Sequence, residues 1–188
     1  MENKQKISTK KIVLAALMAA LTVVGSALRI TLPLDIAGTT SFHLGNIMCA
    51  LSGILLGPWL GGLAAGMGSA IYDMFNPLYI SEAWLTFLMK GAYGLATGLI
   101  VWSGKKDWSY LKATLATVAG AVTYAVLYLG KSFLKGLVVQ GLTADAAMLA
   151  LIGKVPATIF NAVVAIIFAP ILAQAIRAAL QKSRITLD

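Results

Sequence analysis

Charged side chains are scarce in this chain of 188 residues: Asp, Glu, Lys and Arg make up 12% of it, whereas 59% is hydrophobic. A soluble domain of this size could not cover its surface with so few charges, so the composition excludes an ordinary globular protein and indicates a membrane protein. A helical span needs about 20 apolar residues. Windows without charge run over residues 12–28, 36–72, 113–130 and 155–176.

The predicted fold is an all-α integral membrane protein, a six-transmembrane-helix bundle that forms a single membrane domain over residues 1–188. The window 36–72 is long enough for two spans, and the Gly-Pro-Trp sequence at residues 57–59 supplies a break between them. The sixth helix contains Pro156, which is expected to kink it or to begin its main part. The six helices are predicted at 12–31, 44–57, 58–75, 83–103, 110–135 and 145–180.

The formal net charge of +8 is unevenly distributed. Six spans leave both termini on one side, and ten of the fifteen basic residues then share that side. Such an excess marks the cytoplasmic face, so we expect a multi-pass protein of the bacterial plasma membrane with cytoplasmic N- and C-termini, and no nucleic-acid partner. We interpret the apolar N-terminal segment as a retained first helix and not as a signal peptide. The ten residues are Lys4, Lys6, Lys10, Lys11, Lys105, Lys106, Lys112, Arg177, Lys182 and Arg184.

Residues for catalysis or metal binding are also missing. His43 is the only histidine and Cys49 the only cysteine, so the chain has no metal-ligand spacing, no disulfide framework and no catalytic triad. The sequence LGKSF, residues 129–133, resembles the end of a phosphate-binding loop, but the first glycine of that pattern is replaced by Ala125. We therefore expect no enzyme activity, no catalytic residues and no cofactor, and ATP-driven transport would need another subunit.

Small residues are abundant in the predicted helices. Gly53, Gly57 and Gly61 are spaced by four, which lets helix backbones approach closely in lipid, and we interpret them as packing positions. The first helix carries two overlapping Ala-x-x-x-Ala pairs. They fit equally an internal packing face or a surface that docks a partner helix. These alanines are Ala15, Ala16, Ala19 and Ala20.

Polar side chains recur at one depth of the predicted bundle. An ionised group at the bilayer centre costs at least about 2.5 kcal/mol, so such groups usually have a partner or a function. Tyr124, Tyr128 and Lys131 share one face of the fifth helix, and Lys154 and Asn161 share one face of the sixth. We predict an outward-facing pocket for a small polar, aromatic molecule. The predicted substrate-binding residues are His43, Asn46, Asp73, Tyr79, Trp84, Lys90, Tyr124, Tyr128, Lys131, Lys154 and Asn161.

Structural interpretations of the same residues remain open. Asp73 can pair with Lys90, and Lys131 and Lys154 can extend to the outer headgroups. His43 can be a hydrogen-bonding loop residue. Three aromatic residues are candidates for interfacial anchors: Tyr79, Trp84 and Tyr128.

The chain resembles the substrate-binding S components of energy-coupling factor (ECF) vitamin transporters. The resemblance covers essentially the whole chain and includes the basic N-terminus and the alanine pairs of the first helix. Its most specific part is LLGPWLGGLAAGMGSAIYD within residues 43–75, and further matching segments are TFLMKGAYGLATGLI and KVPATIFNAVVAIIFAPIL.

This resemblance implies a six-helix protein that lacks an ATPase and binds a vitamin near the outer face, with the first loop as a gate. It implies three kinds of protein and membrane partners: a membrane scaffold (T) subunit, two ABC-type ATPase subunits and the lipid bilayer. The alanines that would contact the T subunit are Ala15, Ala16, Ala19 and Ala20.

The vitamin is not fixed by these motifs. The sequence looks most like members linked to hydroxymethylpyrimidine, pyridoxine or pantothenate. We favour one of the two heteroaromatic ligands, because Asp73 would repel an anion unless Lys90 neutralises it. Pantothenate would need an unpaired cation such as Lys90, Lys131 or Lys154, and riboflavin would need a larger cavity. A membrane scaffold without a ligand and a self-sufficient channel or carrier are the alternatives from other functional classes.

Overall fold

The computed structural model describes residues 8–34, 38–104 and 108–183. In this part of the chain, seven α-helices and one β-hairpin follow each other, with a short 3-10 turn at Ile80–Glu82. The helices are α1 (Thr9–Ala27), α2 (Gly45–Leu56), α3 (Pro58–Met74), α4 (Ala83–Val101), α5 (Tyr110–Val138), α6 (Ala144–Ile152) and α7 (Val155–Lys182), and the strands are β1 (Arg29–Leu34) and β2 (Gly38–His43).

The described part of the chain contains four helical segments that are long and apolar enough to cross a membrane. They are α1, the segment Ile80–Val101 that includes α4, α5 and α7. The apolar helix α2 has only 12 residues, about 18 Å, and packs against α1, α3, α4 and α7. Nearly every residue of α2 is buried, so this short helix forms the centre of the bundle. The structure is therefore that of a mostly helical membrane protein.

The turn between α2 and α3 follows directly from the sequence. Gly57 ends α2 with a φ of 81°, a conformation that L side chains rarely adopt, and Pro58 occupies the first turn of α3, where its missing N–H is not needed. A Cβ on Gly57 would lie 3.2 Å from the Trp102 ring. The Trp102 indole also donates a hydrogen bond of 3.0 Å to the Ile54 carbonyl, which fixes the end of α4 beneath this turn.

Glycines bring the central helices into backbone contact. A Cβ on Gly53 of α2 would lie 2.4 Å from the Gly94 carbonyl oxygen of α4, and one on Gly68 of α3 would lie 2.3 Å from the Ala19 carbonyl oxygen of α1. A real side chain cannot occupy either position without a shift of the backbone. These glycines therefore set the distances between α2 and α4 and between α1 and α3.

The predicted sixth helix, residues 145–180, is divided into α6 and α7, in agreement with the expectation that Pro156 begins its main part. The break lies at Gly153 and Lys154, and Pro156 is in the first turn of α7. A proline at this position cannot donate to the carbonyl of Ile152 and its ring clashes with that group, so the helix restarts here.

The segment between α1 and α2 contains a β-hairpin that the sequence analysis did not predict. Helix α1 ends at Ala27, and residues that were assigned to its last turn pair instead with the following segment, with Arg29 opposite His43. The hydroxyl groups of Thr31 and Ser41 hydrogen-bond across the two strands at 3.1 Å. The all-α prediction is therefore incomplete.

Some sequence predictions fall on residues that the structure does not describe. They concern five of the basic residues that were assigned to the cytoplasmic face. These are Lys4, Lys6, Lys105, Lys106 and Arg184.

Candidate functional site

A polar cavity of about 310 Å³ opens at the end of the bundle that carries the β-hairpin. The hairpin, the 3-10 turn and helices α3 to α7 all contribute to its wall. Nine of the eleven predicted binding residues line this cavity: His43, Asp73, Tyr79, Lys90, Tyr124, Tyr128, Lys131, Lys154 and Asn161.

The other two predicted residues lie elsewhere. Asn46 is buried in the first turn of α2, where its side-chain oxygen accepts a hydrogen bond from the Lys90 ammonium group. Trp84 is 64% exposed at the start of α4 and is absent from the described cavity wall. Asn46 therefore supports a lining residue from behind, whereas Trp84 is placed as an interfacial anchor would be.

Asp73 and Lys90 are both buried against the cavity. Lys90, 4% exposed, places its Nζ 3.9 Å from the centroid of the Tyr124 ring. Asp73, 7% exposed, ends α3 and accepts a hydrogen bond from the Thr86 side chain. Between residues 8–34, 38–104 and 108–183, the ion pairs within 4.0 Å all involve Glu82, so Asp73 and Lys90 are not paired with each other. Each can therefore offer its charge to a ligand.

Three tyrosines form a stacked series beside Lys90. The rings of Tyr93 and Tyr124 lie 6.1 Å apart with an interplanar angle of 24°, and those of Tyr124 and Tyr128 lie 5.7 Å apart at 16°. Tyr124 and Tyr128 line the cavity, one helical turn apart on α5, and Tyr93 of α4 lies in the core behind them. The cavity thus has an aromatic side formed by Tyr124 and Tyr128, whose rings stack on each other.

Asn161 joins α7 to the hairpin. Its side-chain oxygen accepts from the His43 backbone N–H at 2.9 Å, and its amide nitrogen donates to the Ser41 carbonyl oxygen at 2.8 Å. The Asn161 amide therefore links α7 to the hairpin by satisfying both a donor and an acceptor of strand β2.

His43 is held in its neutral form. Its Nδ1 accepts a hydrogen bond of 3.1 Å from the Gly45 backbone N–H, so the ring proton lies on Nε2. Burial of the imidazole, together with the positive charges of Lys90 and Arg29, lowers the pKa of His43 well below its usual range.

Arg29 is a cavity residue that the sequence analysis missed. Its guanidinium lies over two rings, 4.2 Å from the centroid of Tyr72 and 4.9 Å from that of Tyr79, and its Nε donates to the Ser26 carbonyl oxygen at 2.7 Å. The predicted first helix, residues 12–31, had included it. A charge at the end of an element is common, so no local signal in the sequence pointed to Arg29.

A second group of missed residues lies where α5 meets the 3-10 turn. Glu82 forms ion pairs with Lys131 and with Lys135, and Lys154 donates to the Ser132 hydroxyl at 3.3 Å. The residues missed here are Glu82, Ser132 and Lys135, all of which line the cavity.

The alanine pairs of α1 lie on two sides of the helix. Ala15 and Ala19 are partly buried and pack against the core, whereas Ala16 and Ala20 are exposed. No group of three or more His, Cys, Asp or Glu side chains that could hold a metal ion occurs among the described residues.

Comparison with known proteins gives one family match and one informative relative. The model of the family described as "ECF-type riboflavin transporter, S component" matches residues 6–178. An uncharacterized protein of Pyrococcus woesei, described by its place in the gap 3′ region, is 33% identical over 114 residues, which is 61% of this chain and 72% of that protein. No solved structure matches the chain.

Proposed function

Because this chain belongs to the ECF-type riboflavin transporter S component family, we propose that its cavity binds hydroxymethylpyrimidine or pyridoxine for import. The chain is a multi-pass membrane protein and a substrate-binding transport subunit; it is not an enzyme. One observation carries the choice of ligand: Tyr124 and Tyr128 line the cavity next to two buried charges, Asp73 and Lys90, that do not neutralise each other in a contact ion pair.

This arrangement suits a small heteroaromatic ring with polar substituents. The ring would pack against the tyrosine side of the cavity, while Asp73 would accept hydrogen bonds from a hydroxyl or amino substituent and Lys90 would donate to a ring nitrogen or oxygen. A cavity of about 310 Å³ lies at the lower end of the usual range for ligand sites. A one-ring ligand fits this volume, and riboflavin, which the family description names, is the alternative that the binding experiment has to exclude.

Pantothenate is the second candidate. Its carboxylate would need a cation that no acidic residue already neutralises. Lys154 meets this requirement among the described residues, since its ammonium donates only to the Ser132 hydroxyl and forms no ion pair within 4.0 Å.

The topology and partners are part of the proposal. Helices α1 to α5 and the α6–α7 unit would make six passes, with both termini in the bacterial cytoplasm and the cavity open to the outside. Two ABC-type ATPase subunits would power transport through a T subunit, and the exposed alanines of α1, Ala16 and Ala20, would contact that T subunit.

The ligand is identified by calorimetry on the purified chain in lipid nanodiscs. We expect submicromolar binding of hydroxymethylpyrimidine or pyridoxine and weaker binding of pantothenate and riboflavin. Mass spectrometry of small molecules retained by the purified protein gives an independent identification. Tight binding of riboflavin or pantothenate alone would overturn the choice of ligand, and binding of none of the four would favour a scaffold without a ligand.

A further inference from the structure

Positive charge exceeds negative charge in the cavity wall. Five basic and two acidic residues line it within the described part of the chain, which leaves a formal surplus of three positive charges with His43 neutral. The basic residues are Arg29, Lys90, Lys131, Lys135 and Lys154, and the acidic ones are Asp73 and Glu82. A water-soluble cation would be repelled by such a site.

The surplus concentrates where α5 meets the start of α7. Glu82 is shared by Lys131 and Lys135, so one carboxylate faces two ammonium groups. Lys154 adds a third ammonium group nearby, which donates a hydrogen bond to the neutral hydroxyl of Ser132.

Two of these ammonium groups flank the same aromatic ring. Lys131 Nζ lies 5.5 Å and Lys154 Nζ lies 5.8 Å from the centroid of Tyr128. Like charges in the same partly buried site repel each other, and a bound anion would relieve the repulsion.

We propose that Lys154, Ser132 and Lys131 form a subsite for an anionic group of the transported molecule, a carboxylate or a phosphate. The inference rests on the proposed function, because it places this group on a ligand whose other end contacts Tyr124, Asp73 and Lys90. An ammonium group and a hydroxyl are both donors, so together they match an oxygen anion and not a metal ion. Hydroxymethylpyrimidine and pyridoxine carry no acid group themselves, so the subsite would take the phosphate of their phosphate esters or the carboxylate of pantothenate, the second candidate.

The first test compares ligands that differ only in the acid group. Calorimetry in neutral phosphatidylcholine nanodiscs measures pantothenate against pantothenol, its alcohol, and pyridoxine 5′-phosphate against pyridoxine. We expect the acid form of one pair to bind at least about tenfold more tightly, since hydrogen bonds to charged groups are worth that much. The preference should be lost in Lys154→Gln, retained in Lys154→Arg and unchanged in Lys182→Gln, an exposed lysine on the same helix. An equal preference in Lys154→Gln would overturn the proposal.

The second test needs no vitamin. The thermal unfolding midpoint is measured in sodium phosphate and in sodium chloride at equal ionic strength. Phosphate should raise the midpoint of the wild type and of Lys182→Gln, but not that of Lys154→Gln or Ser132→Ala.

If phosphate has no selective effect and acid and neutral ligands bind alike, the subsite is absent while the proposed function stands. If no vitamin binds but phosphate stabilises through Lys154, the proposed function fails and the anion site stands. An effect of Lys154 seen only in phosphatidylglycerol nanodiscs would assign the anion to a lipid headgroup and overturn the proposal.

Discussion

Asp73 is an acidic side chain in an apolar environment, buried at the end of α3 and hydrogen-bonded to Thr86. Burial of a carboxylate without a contact cation is costly, so a charge in this position is expected to serve a ligand at the expense of stability. The isosteric change Asp73→Asn separates the effect of the charge on ligand binding from its effect on stability.

We expect Asp73→Asn to weaken binding of hydroxymethylpyrimidine or pyridoxine at least about tenfold, because a charge-assisted hydrogen bond is lost. The unfolding midpoint should stay the same or rise, since a buried charge is removed. Calorimetry and thermal unfolding in nanodiscs measure both quantities. The matched control is Asp145→Asn, at an exposed position on α6. Unchanged affinity in Asp73→Asn would exclude the carboxylate from ligand binding.

His43 makes the stability of the hairpin end sensitive to acid. Its pKa in the folded protein lies well below the unfolded value of about 6.5, so the unfolded chain binds a proton that the folded chain does not. The stabilisation by neutral His43 is complete above about pH 6.5 and is lost as the pH falls below that value.

We therefore expect the unfolding midpoint of the wild type to fall between about pH 7 and pH 5, and to fall less in His43→Gln, whose side chain does not titrate. His43 is the only histidine in the sequence, so no second imidazole contributes. Thermal unfolding at several pH values measures the difference. Parallel curves for the two proteins would show that another group causes the acid sensitivity.

At the scale of elements, helix α1 offers two different alanine faces. Ala19 lies where α1 approaches α3 so closely that its carbonyl oxygen would be 2.3 Å from a Cβ on Gly68, whereas Ala16 is exposed. We expect Ala16→Trp to reduce copurification with the T and ATPase subunits while the ligand affinity and the unfolding midpoint of the isolated chain stay unchanged. Ala19→Trp should instead lower the midpoint, because an indole overfills the α1–α3 contact.

The control for this pair is Leu17→Trp, an exposed position on another side of the same helix. It should leave both assembly and stability unchanged. If Ala16→Trp assembles normally and Leu17→Trp does not, the partner surface lies on a different face of α1.

The elements that the sequence could predict are those with local signals. The turn at Gly57 and Pro58 was predicted because a flexible residue and a residue without an N–H follow each other between two apolar runs. The hairpin was not predicted, because its pairing depends on residues about ten positions apart and because its first strand is as apolar as the helix before it. Hydrophobicity alone cannot separate a strand from the end of a helix in such a run.

The same distinction applies to the site. Asp73 and Lys90 were predicted because each interrupts an apolar run, where a charge is conspicuous. Arg29 and Glu82 lie at element ends, where a charge costs little, and their roles depend on tertiary contacts. The partners of Glu82, Lys131 and Lys135, are 49 and 53 residues away in the chain, so no local pattern could show the contact.

At the scale of the whole molecule, the distribution of polar and apolar side chains is the reverse of that in a soluble protein, which exposes charged groups and buries apolar ones. Large apolar side chains such as Val13, Val126 and Ile167 are exposed along the long helices, whereas charged groups gather around the internal cavity. The exposed residues fit contact with lipid, and the cavity is the place where this chain can hold a polar molecule. No phosphate-binding loop accompanies the cavity, since Ala125 replaces the required glycine.

Binding and energised transport should therefore separate in reconstitution. In liposomes that contain this chain alone, we expect the labelled vitamin to bind in proportion to the protein, with no accumulation when ATP is supplied. Addition of the T subunit and the two ATPase subunits from the same organism should give ATP-dependent uptake, and Asp73→Asn should reduce it through weaker binding. The matched control replaces one ATPase with a hydrolysis-deficient variant, which should retain binding and abolish uptake. Uptake by the chain alone would identify a self-sufficient carrier, because a subunit without an energy source cannot concentrate its ligand.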